Sequence, residues 1–191
     1  MSVTEEKYGL KPRDAILLFI QMILVTVELL VQVVLTIFLF IHQIEPIMII
    51  SSILLLLSLI AMIVYAVHGF RTSRKLLIVS IGLFLLAVLF NLMLPRNTVQ
   101  IIMLVLIFAC LFAFIFEHKN IKVSNCLILV AAAIVLSFSI YSSITANVSM
   151  FGELENPTLA IILMYLSIFT PTIMIFTFGI SHFVRSTRRG E

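Results

Sequence analysis

The chain has 191 residues, of which 62% are hydrophobic and 11% charged, with a mean hydropathy of +1.26 and a formal net charge of +3. That composition lies far outside soluble globular usage and describes one all-α integral membrane domain over residues 1–191, with the lipid bilayer as its first partner. The small positive excess needs no nucleic-acid partner, because membrane topology accounts for it.

Six apolar runs follow one another. The first, Ala15–Ile41, is longer than the roughly 20 residues that cross a bilayer core, so it is expected to tilt or to project past the headgroups. Lys7, Lys11 and Arg13 precede it in the manner of a secretion signal, but the run is too long for a signal segment and no small-x-small cleavage site follows. Glu28 lies at its centre, where a carboxylate costs roughly 2.5–3.5 kcal/mol on insertion scales. Asp14, Gln21, Glu28 and His42 share one heptad register interrupted by Leu35, and Gln32 and Thr36 follow Glu28 at i+4 and i+8. At about 100° per residue these side chains form one polar arc. No Lys or Arg lies inside any run to neutralise Glu28. Its carboxyl therefore carries a proton, as a structural hydrogen-bonding group, or exchanges that proton for a cation along a hydrated passage.

In the second run, Ile47–Phe70, Ser51, Ser58, Ala61, Tyr65 and His68 share a helical face. Counting back from a turn near Ile44 brings Ser58 to the depth of Glu28. Ser58 is thus the expected partner of Glu28 and Gln32, His68 that of Gln21, and Arg71 or Arg74 that of Asp14. The third and fourth runs, Leu76–Leu94 and Val99–Phe116, are at the short end for a span. The fifth, Cys126–Ala146, concentrates Ser137, Ser139, Tyr141, Ser142, Ser143 and Thr145. Its small-xxx-small spacings, Ala133 to Ser137, Ser139 to Ser143 and Ser142 to Ala146, predict close helix packing in preference to a solute cavity. The sixth, Leu159–Val184, holds Thr170-Pro171-Thr172 near mid-span, a candidate hinge or a fixed bend whose threonines can satisfy freed backbone groups. Cys110 and Cys126 are expected to be reduced structural thiols.

Placing the N-terminus in the cytoplasm and threading six spans leaves Lys7, Lys11, Arg13, Arg71, Arg74, Lys75, Lys119, Lys122, Arg185, Arg188 and Arg189 inside, with Arg96 alone outside. That bias predicts cytoplasmic N- and C-termini and suits a bacterial or archaeal plasma membrane. Pro46, Pro95 and Pro157 then stand at the outer starts of the even-numbered helices, where a missing N–H costs nothing. The result is three helical hairpins, 1–2, 3–4 and 5–6, inserted the same way up. Each ends inside on a histidine with basic neighbours: His68 with Arg71, His118 with Lys119, His182 with Arg185. Helix C-termini and the positive-inside rule select such residues on their own, so a threefold repeat and coincidence are both open. In this hairpin plan the chain resembles the HdeD-like six-helix membrane proteins, although it lacks the repeated glycines of that family.

Enzymatic apparatus is missing. There is no H-E-x-x-H, G-x-S-x-G, Walker A or G-x-G-x-x-G pattern, and only one carboxylate lies deep in any run, so a paired-aspartate protease is excluded in its ordinary form. The histidines lie at span boundaries without ligand spacing, and no metal or cofactor is expected. Asn147-Val148-Ser149 matches a glycosylation sequon but abuts the membrane. The expected function is a non-enzymatic subunit or assembly partner. In it the polar seam of Gln21, Glu28, Gln32 and Thr36 docks against helices of the same chain, another copy or another membrane protein. The alternative is a small channel or proton- or cation-coupled transporter, with Glu28 as the titrating group and a small solute or cation as partner.

Overall fold

The computed structural model describes residues 12–41, 45–67, 75–94, 97–116, 120–145 and 157–189. Among them are six helices: α1 (Pro12–Ile41), α2 (Pro46–Val67), α3 (Lys75–Leu92), α4 (Thr98–Phe116), α5 (Ile121–Thr145) and α6 (Pro157–Arg189). Each of the six predicted apolar runs falls on one of these helices. The fifth begins five residues earlier than hydropathy alone marks, because Asn120 caps it: its main-chain carbonyl accepts from Ser124 N at 2.9 Å and its side chain from Val123 N at 3.4 Å. Asn97 does the same for α4, its side chain accepting from Gln100 N at 2.9 Å. Pro46 and Pro157 are the first residues of α2 and α6, the position that tolerates a missing donor. Pro95 lies outside the described residues.

Five of these helices, α1 to α5, are long and apolar enough to cross a membrane. In α6, 33 residues long, the apolar stretch among the described side chains is Ile168–Val184, and its inward face carries buried Thr170, Thr172, Thr177, Ser181 and His182. At 1.5 Å per residue α6 is about 50 Å long, ample for a crossing.

Consecutive helices pack against each other and α1 closes the circuit against α6. Phe84 of α3 meets Phe178 of α6 edge-on, with centroids 5.7 Å apart, and Phe114 of α4 meets His182 of α6 at 5.0 Å, so large rings fill the centre. Around them pack Leu59, Met62, Ile81, Ile107, Leu111 and Met174, all fully buried. The outer surface is the reverse of a soluble protein's: Phe19, Leu30, Phe40, Ile102, Leu129 and Phe176 are among many large apolar side chains left exposed while serines, threonines and glutamines turn inward. An apolar exterior this continuous is stable only against lipid or other apolar partners.

Candidate functional site

The inward face of α1 is polar. Gln21 and Gln32 are fully buried and Glu28 is 2% exposed, although all three lie on a helix whose other faces show Ile16, Phe19, Ile23, Val27 and Val34 outward. Their partners differ from those expected. Gln21 Nε2 donates to Ser181 Oγ of α6 at 2.6 Å. Glu28 hydrogen-bonds with the Thr170 side chain, also on α6. Gln32 Nε2 donates to Ser52 of α2, to Oγ at 2.6 Å and to the carbonyl at 3.2 Å.

Ser58, the expected partner of Glu28, belongs instead to the α2–α3 contact. Its Oγ donates to the Ser80 carbonyl at 2.7 Å, and Ser80 Oγ donates back to the Ser58 carbonyl at 2.8 Å. Helical geometry explains the correction. Gln32 lies about 40° round from Glu28 and Thr36 a further 40°, while Gln21 lies between Glu28 and Gln32, about 20° from each. Once α1 sits between two neighbours, this arc divides: Gln21 and Glu28 face α6, and Gln32 and Thr36 face α2. A hairpin considered alone has only α2 to offer. His68, proposed for Gln21, and the Asp14 pairing with Arg71 or Arg74 fall outside the residues and side chains described.

The Gln32 cluster is a closed circuit. Thr36 Oγ1 donates its single hydrogen to the Gln32 carbonyl at 2.7 Å and lies 2.7 Å from Ser52 Oγ. Ser52 must therefore donate to Thr36 while it accepts from Gln32. The Ser52 carbonyl can only accept, so it fixes the Gln32 amide with its nitrogen toward α2 and Oε1 away from it.

Thr170 is similarly constrained. Its Oγ1 donates to the Leu166 carbonyl one turn back at 3.0 Å. A hydroxyl has one hydrogen, so the Leu166 carbonyl and the Glu28 carboxylate compete for it, and only a protonated Glu28 can donate to Thr170 in its turn. Across the proline, Thr172 Oγ1 sits 2.8 Å from Ser139 Oγ of α5, whose own hydrogen goes to the Ile168 carbonyl at 2.9 Å. The threonines on either side of Pro171 thus tie this turn to α1 and to α5, an arrangement suited to a held bend. Elsewhere on α5, Ser142 accepts from Gln100 Nε2 of α4 at 3.3 Å and Tyr141 from Nδ2 of the α4 cap Asn97 at 3.2 Å, while Ser137 and Ser143 donate to carbonyls of their own helix.

Three buried oxygens on α1 are left over. Gln21 Oε1, Glu28 Oε1 and Gln32 Oε1 have no hydrogen-bond partner among the described residues. All three are acceptors, and helical rise spaces them about 10 and 6 Å apart along the axis. A buried acceptor without a donor costs about 1–3 kcal/mol, so a row of three calls for water, protons or a cation. At the Gln21 end, Ser124 of α5 and His182 of α6 form a second buried polar pair, Oγ to Nε2 at 3.0 Å. Cys110 and Cys126 are free thiols. Comparison with family models, curated proteins and solved structures gives no match, so the residues alone carry the functional assignment.

Proposed function

We propose that the protein is a small proton- or cation-coupled membrane channel or transporter in which Glu28 is the exchanging group and Gln21, Gln32 and Thr36 flank its route. The observation that supports this is the row of unpartnered oxygens on the inward face of α1. A seam that only held helices together would be under selection to pair those atoms or replace them with apolar groups, because each costs stability unmet. Glu28 suits exchange for a second reason. With no Lys or Arg in the apolar runs, its charge is left to a proton or a mobile cation to balance. The eleven-to-one charge bias supports six crossings with both termini in the cytoplasm, which puts the Gln21 end of the seam inside and the Gln32 end outside.

The assembly role has less to stand on at this face. Gln21, Glu28 and Gln32 meet α6 and α2 of their own chain, so the seam's docking function is consumed in closing the bundle. Contacts with a second protein would have to use the apolar exterior.

Reconstitution into liposomes carrying a pH-sensitive dye, with imposed proton, Na⁺ and K⁺ gradients, tests the proposal. The wild type is expected to dissipate a gradient and Glu28→Gln to lose that activity while eluting as a folded species of unchanged size. Equal flux in wild type and Glu28→Gln, or none in the wild type under every gradient, would overturn it.

A further inference from the structure

We propose that Glu28, Thr170 and the main-chain carbonyl of Ser167 form a binding site for one small monovalent cation of the Na⁺ class, which replaces the proton on Glu28. This rests on the reading of Glu28 as the exchanging group and goes further by naming the ligands and the ion.

The ligands come from one turn of α6 and the residue facing it. Pro171 lies inside α6 and has no N–H, so the carbonyl four residues before it, that of Ser167, has lost its place in the helical ladder. Thr170 stands on the same turn and already contacts Glu28. Glu28 adds Oε1, buried and unpartnered. Carboxylate, hydroxyl and carbonyl oxygens together are a hard donor set, which selects hard cations over metals that prefer sulfur or imidazole. The charge count selects valence. One carboxylate and no other charged group balances one positive charge, whereas a divalent ion would leave a net charge in a low-dielectric interior.

Exchange follows from the single hydrogen of Thr170. With Glu28 protonated, its carboxyl can donate to Thr170 while Thr170 donates to the Leu166 carbonyl. When the proton leaves, Thr170 keeps that donation and its lone pairs turn to the cation, beside the carboxylate and the Ser167 carbonyl. One proton goes out and one monovalent ion comes in, so the charge of the site is constant. Protons therefore compete with the ion, and binding weakens as pH falls. Among the described side chains, the other titratable groups on the helices around Glu28 are remote from that competition. Tyr65 of α2 is at the level of Gln21, Tyr165 of α6 is more than a turn from Thr170 and partly exposed, and His182 is twelve residues along, about 18 Å.

The test is equilibrium binding of ²²Na⁺ to the full chain in mild detergent at high and low pH, with proton flux measured in parallel. The wild type is expected to bind one ion per chain, saturably and more weakly at low pH, and Glu28→Gln to bind none. Pro171→Ala returns an N–H to the Ser167 carbonyl while leaving Glu28 and Thr170 in place, and is expected to weaken binding about tenfold or more. Thr172→Val, on the α5 side of the same turn, is the folding control and should bind as the wild type does. Wild-type affinity in Pro171→Ala would overturn this ligand set. Absence of saturable Na⁺ binding, with Glu28-dependent proton flux intact, would overturn the cation site and leave the proton-coupled function standing. Loss of both would remove the two together.

Discussion

Glu28 of α1 and Thr170 of α6 meet at the one turn of α6 that an internal proline interrupts. Because Thr170 already donates to the Leu166 carbonyl, the protonation of Glu28 and the hydrogen bonding of the proline turn are a single arrangement. Any change of charge at Glu28 is felt in the backbone of α6 at that turn.

Thr170 is therefore expected to matter more than its neighbour across the proline. Thr170→Val keeps the shape but leaves the Glu28 carboxyl without a protein partner, an expected cost of about 1–3 kcal/mol. Thr172→Val removes one interhelical bond to Ser139, whose own hydrogen remains on the Ile168 carbonyl, and should cost about 0.6 kcal/mol. Unfolding in a denaturing-detergent titration ranks them; equal losses would mean that Thr170 does not support Glu28.

The circuit of Gln32, Ser52 and Thr36 predicts an inversion. Ser52→Ala leaves the buried Gln32 amide only its longer bond to the main-chain carbonyl and should destabilise by about 1 kcal/mol, while adding Gln32→Leu to it should recover part of that loss by removing the under-bonded group. The same titration decides. A double variant less stable than Ser52→Ala alone would contradict the circuit.

Ser58 and Ser80 donate to each other's carbonyls, a reciprocal clamp that brings α2 and α3 close. Alanine at either position should cost about 0.6 kcal/mol, up to about 1.7, with little cavity penalty. The two oxygens are also 3.0 Å apart, so the pair should couple in a double-mutant cycle. Additive losses would show that the two bonds act separately.

Much of this arrangement is legible in the amino-acid sequence, and the exceptions have physical causes. Hydropathy locates every helix, since a segment facing lipid must be apolar along its length, and heptad spacing picks out Gln21, Glu28 and Gln32 as buried on one face. The choice of neighbour is not legible. An arc about 80° wide can serve one helix or two, and only ring closure by α6 assigns Gln21 and Glu28 to Ser181 and Thr170. The polar residues of α6 are themselves a signal: Thr170, Thr172, Thr177, Ser181 and His182 recur in an otherwise apolar helix, as enclosed positions require. Asn120 likewise moves the start of α5 upstream of its hydropathy, because a cap acts through one side chain.

The proposed threading predicts opposite labelling of two exposed positions. In a background with Cys110 and Cys126 replaced by alanine, Asn97→Cys should react with an impermeant maleimide in intact cells, and Lys122→Cys only after permeabilisation. The reverse pattern would invert the topology and exchange the two ends of the seam.

The exchange of a proton on Glu28 is the central claim, and infrared difference spectroscopy of wild type against Glu28→Gln observes it most directly. Raising pH in the presence of Na⁺ should replace a protonated carboxyl C=O band, absent in Glu28→Gln, by carboxylate bands, and lowering pH should restore it. A Glu28 band unchanged across pH and cation would show a permanently protonated helix contact and contradict the exchange.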